Sequence, residues 1–271
     1  YVVKSLHRGT GTSFVVPSLS GDRTLFAYRG ANTTLSAKDF PWDVLKEQDL
    51  LYVSSLSNQA AQALPDMIKH AKDAGVKVAV NPGVSQLKQG SGFLKDALFG
   101  IDILVMNVQE AQLLMATLVK EDDAIAQAVH ESVPGVGKNK LLDSSSDFKN
   151  VSFSLRKFFA LLLTMGPKVV AVTDGAEGAY VANDEQIIYH AGIKTKVVNT
   201  LGAGDAFSST LAAGISSGMD IKQALCYAVA QGASVVEYAD AKSGLLAQDA
   251  LDKKIRDVQE DLITSMLWHK A

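Results

Sequence analysis

The sequence predicts an α/β fold in which a mainly parallel β-sheet is covered by helices on both faces. From residue 50 onward, short apolar runs alternate with amphipathic stretches of helical length, which is the pattern of parallel strands joined by crossover helices. The chain has 271 residues, of which 47% are hydrophobic and 20% charged, so it is long enough to bury a large core. In such sheets, ligands bind beyond the carboxyl ends of the strands.

The first part of the chain is predicted to form a β-hairpin and then three strands of the sheet. Residues 12–16 and 24–28 are rich in β-branched and aromatic residues and are separated by a Ser-Gly-Asp-Arg turn. Residues 50–54, 76–80 and 103–106 are apolar runs of strand length. We expect a helix after each of these three strands.

The second part of the chain continues the sheet and ends in helices. Strands are predicted at residues 169–173, 179–182 and 186–189, and helices near residues 206–217, 220–238 and 247–267. The polar segment between residues 119 and 154 fits the alternation least well. We expect it to be a helix followed by an insertion in a surface loop.

The Gly-Ala-Gly-Asp run that ends at Asp205 carries the strongest functional signal. It follows an apolar pair, Val197-Val198, that we interpret as a strand, and it precedes a small-residue helix from about Ala206. Glycines let backbone N–H groups approach a ligand, and a helix start adds unpaired N–H groups, so the run predicts an anion site. A carboxylate beside a bound phosphate can take the proton from an attacking hydroxyl, which predicts phosphoryl transfer. A dinucleotide fold would want a small residue where Phe207 stands.

Composition argues against several classes of partner. The net charge is −3 and the sequence has no basic run, so nucleic acid is not an expected partner. No apolar run reaches the roughly 18 residues that a membrane helix needs, so no membrane association is expected. The single cysteine, Cys226, argues against a disulfide framework and predicts a cytoplasmic protein.

The run from Asn199 to Asp205 resembles the Asp-Thr-x-Gly-Ala-Gly-Asp motif of the ribokinase (PfkB-type) carbohydrate kinases, with Asn199 in place of the first Asp. Other motifs of that family follow in its order over essentially the whole chain: Gly30-Ala31-Asn32, Val80-Asn81-Pro82-Gly83, Asn-x-x-Glu at Asn107 and Glu110, and Thr-x-Gly-x-x-Gly at Thr173, Gly175 and Gly178. The sequence opens at Tyr1 without the first motifs of that family, so we expect its N-terminal part to be missing here.

The resemblance implies a ribokinase-like fold, which is a Rossmann-like, mainly parallel sheet flanked by helices, with a small β lid. Residues 1–35 would be part of the lid, and residues 36–271 would form a kinase core whose C-terminal half binds the nucleotide. The implied activity is ATP-dependent phosphorylation of a hydroxyl group on a small sugar, by a homodimer that pairs through its lids. The alternatives are a nucleoside (adenosine-type) kinase of the same superfamily and a non-catalytic regulator that binds a sugar or a nucleotide.

The resemblance also implies catalytic roles. Asp205 would be the general base, and the backbone amides of Gly202, Ala203 and Gly204 would hold the charge that develops on the transferred phosphoryl group. Without the resemblance, Asp205 is explained equally well as a helix cap.

Cofactor sites follow by the same resemblance. Asn107 and Glu110 would organise Mg²⁺ and the phosphates of ATP, although Asn with Glu three residues later is also close to a capping box. The Thr173 loop would line the nucleotide phosphates, although a bare run of this kind is equally well an ordinary hairpin. The residues expected to contact the nucleotide are Asn107, Thr173, Gly175, Gly178 and Thr200.

One departure from the motif concerns a monovalent cation. In many members of the family the first Asp of the motif helps to hold K⁺, and Asn199 keeps the side-chain oxygen but loses the charge. Asp240 stands where the family usually has a glycine. Two hypotheses follow, a weakened cation site or a site in which Asp240 restores the negative charge.

Overall fold

The structure is a computed structural model in which residues 2–17, 23–131, 140–143, 146–149, 151–256 and 262–267 are described. Within them the strands are β1 (Thr12–Pro17), β2 (Arg23–Tyr28), β3 (Leu50–Val53), β4 (Lys77–Val80), β5 (Ile103–Asn107), β6 (Ser146–Phe148), β7 (Val151–Phe153), β8 (Val169–Thr173), β9 (Gly178–Ala182), β10 (Gln186–Ala191) and β11 (Ile263–Leu267). The helices are α1 (Trp42–Leu45), α2 (Gln59–Gln62), α3 (Leu64–Asp73), α4 (Val84–Leu87), α5 (Ser91–Phe99), α6 (Val108–Lys120), α7 (Asp123–Glu131), α8 (Lys140–Asp143), α9 (Leu155–Thr164), α10 (Ala203–Ser216), α11 (Ile221–Val235) and α12 (Gln248–Arg256).

The main sheet contains seven of the described strands, in the order β11-β10-β9-β8-β5-β4-β3. β3, β4, β5 and β8 are parallel to one another, whereas β9, β10 and β11 join by antiparallel pairing. The predicted α/β fold is therefore confirmed, with a sheet that is mixed. The predicted hairpin is also present, since β1 pairs antiparallel with β2, while residues 18–22 of its turn lie outside the described residues.

Both faces of the sheet are covered by helices. α3, α6 and α9 pack on one face, and α10 and α11 pack on the other. Each face of the sheet therefore has its own hydrophobic core, the first beneath α3, α6 and α9 and the second beneath α10 and α11. The side chains of β5 alternate between them: Leu104 and Met106 are buried in the first core, and Ile103 and Val105 are buried in the second. None of the described helices combines the length and the apolar character that a membrane span requires.

Asp102 ties several elements together at the edge of the sheet where the parallel strands begin. Its carboxylate accepts hydrogen bonds from Lys72 Nζ at 2.7 Å, from Lys168 Nζ at 2.9 Å and from the backbone N–H of Val78 at 2.9 Å. Burial alone would raise the pKa of the Asp102 carboxyl, but these donors hold it below its usual value. The carboxyl ends of the strands, where the candidate site lies, are at the opposite edge.

Two predictions about local structure were wrong. Residues 263–267, predicted as helix, form β11, which pairs antiparallel with β10. Val197 and Val198 are not in a strand, and their side chains are 59% and 53% exposed. The backbone N–H of Val198 instead donates to the carbonyl oxygen of Val236 at 2.7 Å, which is a loop contact and not part of a ladder.

The segment between residues 119 and 154 is more structured than a surface insertion. It contains α7, α8 and a small hairpin of β6 and β7. Leu142 and Phe153 from this segment are buried in the first core, so it contributes to packing there. Residues 132–139, 144–145 and 150 lie outside the described residues.

Candidate active site

The parallel strands bring the predicted site residues to one edge of the sheet. Asn107 ends β5 and Thr173 ends β8, and the two residues are direct partners in the β5–β8 register. Asn81 follows β4, and its Nδ2 donates to the carbonyl oxygen of Val105 at 2.8 Å. The two motifs that lie far apart in the sequence are therefore side by side in the fold.

Asn107 and Glu110 hold each other at the start of α6. Asn107 Oδ1 accepts a hydrogen bond from the Glu110 backbone N–H at 2.8 Å, and Glu110 Oε2 accepts one from the Asn107 backbone N–H at 2.9 Å. This is the reciprocal capping box that the sequence left open as an alternative. The capping does not exclude a role in binding, because it also fixes the Glu110 carboxylate at the edge of the sheet.

The pKa of Glu110 reflects its burial and the groups around its carboxylate. Burial raises the pKa of Glu110, the hydrogen bonds from Asn107 oppose the rise, and the negative charge of Asp205 adds to it. Glu110 on α6 therefore lies within electrostatic range of Asp205 on α10. A position between two carboxylates attracts a cation, and this pair is the part of the site that could hold one.

The Gly-Ala-Gly-Asp run lies inside a helix. α10 begins at Ala203, not near Ala206 as predicted, with Gly202 as its N-cap at a φ of 82°. Gly204 and Asp205 are consequently in the first turn, where backbone N–H groups have no partner within the helix, although the Ala203 N–H lies 3.5 Å from the carbonyl oxygen of Thr200. A Cβ placed on Gly204 would meet no heavy atom within 4 Å, so this side of the turn is open to a ligand.

Asp205 is exposed on that first turn, whereas the next residues, Ala206 and Phe207, are buried and anchor the helix. A buried anchor beside an exposed carboxylate fixes the backbone of the turn while leaving the acid accessible. The positive end of the helix dipole lies at the same place. The arrangement combines an anion-binding helix start with an accessible acceptor for a proton.

The two glycines of the Thr173 loop differ in their surroundings. The run is a hairpin between β8 and β9, closed by a 3₁₀ turn at Gly175–Glu177. Gly175 has a φ of 56° and open space where a Cβ would lie, so a ligand can approach it. Gly178 is buried, and a Cβ there would lie 2.1 Å from the carbonyl oxygen of His190, so the packing of β10 already requires glycine at this position.

The side chains of Asn199 and Asp240 are engaged by their own loops. Asn199 Nδ2 donates to the carbonyl oxygen of Ala239 at 2.8 Å, and its Oδ1 accepts from the Leu201 N–H at 3.0 Å. The Asp240 carboxylate accepts hydrogen bonds from the backbone N–H groups of Lys242 and Ser243 and from the Ser243 hydroxyl, which lower its pKa. Thr200 is exposed between these two loops and the start of α10.

Tyr52 is the residue of the site that sequence reasoning missed. It lies in β3, and its pKa is raised to about 12, first by burial and then by the negative charge of Asp205. The one sequence signal was a polar hydroxyl within an otherwise aliphatic strand, Leu50-Leu51-Tyr52-Val53. Proximity to Asp205 could not be inferred, because the two residues are far apart in the sequence.

Among the described residues, no group of three or more His, Cys, Asp and Glu side chains lies close enough together to form a metal site by itself. The donors present suit a cation that keeps much of its water and takes the rest of its ligands from phosphate oxygens, as Mg²⁺ does. Glu110 and Asp205 could supply carboxylate charge for such a site, and the start of α10 could bind the phosphates.

Comparisons with known proteins identify a family that this chain resembles over most of its length. The model of the pfkB family carbohydrate kinases matches residues 1–140 and 154–248. A ribokinase from Staphylococcus aureus is 24% identical over 224 residues, which cover 81% of this chain and 61% of the relative. The chain thus spans less than two thirds of the length of that ribokinase.

Solved structures share the fold. An E. coli protein provisionally named ribokinase II, in complex with ATP and Mg²⁺, superposes with a TM-score of 0.70 at 21% identity, covering 92% of this chain and 72% of that one. The nucleoside kinase of Methanocaldococcus jannaschii, an archaeal member of the ribokinase family, gives a TM-score of 0.65 at 15% identity, covering 92% of this chain and 69% of that one.

Replacing Gly202 by alanine is expected to destabilise the protein more than the same change at Gly218. Both glycines have positive φ, 82° and 92°, so both variants incur backbone strain of about 1 kcal/mol. At Gly202 alone of this pair, the new Cβ would also lie 2.6 Å from the Cβ of Ala241, which adds overpacking of about 1–3 kcal/mol. Urea unfolding of the two variants measures the difference, and equal losses would show that the Ala241 contact does not constrain the helix start.

Proposed function

Because the chain belongs to the pfkB family of carbohydrate kinases, we propose that it transfers the γ-phosphoryl group of ATP to a hydroxyl group of a small sugar. The observation that carries the proposal is the open start of α10, where Asp205 lies in the first turn and its negative charge acts on the Glu110 carboxylate. A helix start favours an anion, whereas two carboxylates favour a cation. A magnesium nucleotide satisfies both preferences at once, and neither a simple anion nor a simple cation does.

Each part of the site has a role in the proposed reaction. ATP bound with Mg²⁺ supplies the phosphoryl group and neutralises part of its charge. Asp205 takes the proton of the attacking hydroxyl, and the first-turn amides of α10, from Gly202 to Gly204, donate to the phosphoryl oxygens. Glu110 holds the cation from α6, in part through water.

The nucleotide phosphates are proposed to run along the edge of the sheet from α10 toward β8. Thr173 lies beside Asn107 there, and Gly175 is the glycine of the loop that is open to a ligand. Gly178 supports the loop by its close contact with β10 and need not touch the nucleotide. Thr200 is exposed at the same end and completes the proposed set.

A sugar is the proposed acceptor because the family is one of carbohydrate kinases, and the hairpin and Gly30-Ala31-Asn32 are both present. A nucleoside is the second candidate. The fold resembles that of a solved nucleoside kinase with a TM-score of 0.65, close to the TM-score of 0.70 for the E. coli protein, and this similarity favours the second candidate. A panel of pentoses, hexoses and nucleosides separates the two.

We also propose that K⁺ is not required. The hydrogen bonds that Asp240 accepts from Lys242 and Ser243 hold both of its carboxylate oxygens within its own loop, which supports the proposal that Asp240 does not act as a cation ligand in place of the missing Asp. The amide of Asn199 already bridges to Ala239 by a direct hydrogen bond. These contacts support the hypothesis of a weakened cation site over the hypothesis in which Asp240 restores it.

The hairpin is proposed to pair two chains into a homodimer, with residues 1–35 as part of a lid over residues 36–271. Phe14 and Phe26 are direct partners in the β1–β2 register, so they lie on one face of the hairpin, and they are 70% and 62% exposed. Val16 and Tyr28 extend the same exposed face. A two-stranded hairpin with an apolar face is marginal alone, and a second copy would bury that face.

Asp205→Asn is expected to lower kcat for phosphoryl transfer by about 10²–10⁴-fold, because the amide cannot accept the proton of the attacking hydroxyl. A coupled ADP-release assay across the sugar and nucleoside panel measures the rate. Asp184→Asn, in the exposed turn between β9 and β10, is the matched control and is expected to keep the wild-type rate. An unchanged rate in the Asp205 variant would end its assignment as the base, and ATP binding without transfer to any acceptor would favour the regulator.

Replacing K⁺ by Na⁺ at constant ionic strength is expected to leave kcat unchanged. The reason is that the Asn199 and Asp240 side chains are already hydrogen-bonded within the protein. The same coupled assay measures this, with choline as a third cation to separate specific effects from ionic strength. Activation by K⁺ of several-fold over Na⁺ would contradict the proposal.

Phe26→Asp is expected to convert the protein to a monomer. Dimerisation would bury the new carboxylate in an apolar interface without an opposite charge, which costs free energy. Phe99→Asp is the matched control, since Phe99 is 83% exposed at the end of α5, away from the hairpin. Sedimentation velocity of the wild type and both variants reports the oligomeric state. A monomeric wild type, or a dimer that survives Phe26→Asp, would exclude the lid as the interface.

A further inference from the structure

The hydroxyl of Tyr52 is buried near α10 and has no hydrogen-bond partner among the described residues. Tyr52 lies on the face of β3 that packs against α10. Its hydroxyl oxygen is shielded from solvent and makes no hydrogen bond with any described residue. A buried hydroxyl that lacks a partner destabilises the folded protein, so such groups are uncommon unless they serve another state of the protein.

The surroundings of this hydroxyl belong to the first turns of α10. Ser208 is buried, and its hydroxyl lies near enough to Tyr52 to ease ionisation of the phenol, although the two groups do not meet hydrogen-bond geometry. Ser208 Oγ donates its own proton to the carbonyl oxygen of Gly204 at 2.8 Å. The lone pairs of Ser208 Oγ can therefore accept a hydrogen bond, and the Tyr52 hydroxyl is a nearby donor without a partner among the described residues.

We propose that Tyr52 is a positioning residue whose hydroxyl closes a hydrogen bond to Ser208 when the start of α10 is occupied. The resulting chain, from Tyr52 to Ser208 to the Gly204 carbonyl, holds the first turn of α10 against β3. Asp205 follows Gly204 directly, so the chain fixes the backbone that carries the proposed base. This inference rests on the proposed function, because occupancy here means the transition state, in which the first-turn amides hold the phosphoryl group that is being transferred.

The chemistry of Tyr52 suits a donor and not a base. Burial and the nearby charge of Asp205 raise its pKa to about 12, so the phenol keeps its proton at neutral pH. β3 is held by its ladder with β4, so the donor lies on a fixed element of the sheet. A bond that forms only in the transition state raises kcat without tightening ATP binding and without stabilising the free protein.

Tyr52→Phe tests the proposal. The variant is expected to lower kcat by about 3- to 10-fold, the worth of one neutral hydrogen bond, while KM for ATP stays within about 2-fold of wild type. Its melting temperature is expected to equal or exceed that of wild type, because an unpaired buried hydroxyl is removed. Tyr227→Phe is the matched control for stability: its hydroxyl donates to Asp252 Oδ1 at 2.5 Å, so its removal is expected to lower the melting temperature by roughly 2 °C.

Ser208→Ala and the double variant complete the test. Ser208→Ala removes the acceptor, so it is expected to lower kcat at least as much as Tyr52→Phe, and the double variant is expected to lose no more than Ser208→Ala alone. An unchanged kcat in Tyr52→Phe overturns the proposal, and so do additive losses in the double variant. A melting temperature that falls as far as in Tyr227→Phe also overturns it, since the hydroxyl would then be bonded in the free protein.

The failure of this proposal is distinguishable from failure of the proposed function. If Asp205→Asn abolishes transfer while Tyr52→Phe leaves kcat unchanged, the kinase reaction stands and the positioning role falls. If Asp205→Asn leaves the rate unchanged, the assignment of the base falls first, and the role of Tyr52 falls with it.

Discussion

The parallel pairing of β5 with β8 is the constraint on which the site depends. β5 is buried on both faces, so its register cannot slip by one residue without exchanging the side chains of the two cores. That register places Asn107 beside Thr173. Because α6 starts immediately after β5, the same register also fixes the position of Glu110, at the edge of the sheet where α10 begins. The polar site is thus positioned by apolar packing that takes no part in the chemistry.

The electrostatic character of the site follows from this placement. Asp205 and Glu110 are brought together by two different helices, and their mutual repulsion contributes to the raised pKa of Glu110. The repulsion is a cost of the ligand-free protein that a bound cation would remove. The start of α10 has the opposite preference, because its amides and dipole favour negative charge. The two preferences balance when a cation and phosphates are bound together.

Sequence patterns predicted what is local or periodic. The alternating strands and helices, the hairpin and the reciprocal pair of Asn107 and Glu110 were all visible, because each depends on neighbours in the sequence. Residues 263–267 were misread because their strand character comes from pairing with β10, a partner more than 70 residues away. Gly178 stays a predicted contact of the nucleotide, and its close approach to the backbone of β10 is a second reason for glycine there, which the sequence could not show. Tyr52 was missed because its meaning depends on a helix 150 residues later.

The cap of α10 is tethered to the residues that follow α11. The N–H groups of Val198 and Asn199 both donate to the Val236 carbonyl, Asn199 also bonds to Ala239, and Gly202 packs on Ala241. The two segments are therefore joined by hydrogen bonds and packing, so the residues that follow α11 are held directly against the N-terminus of α10. A displacement of residues 236–241 would therefore act directly on the turn that carries Asp205, through these contacts and not through the sheet.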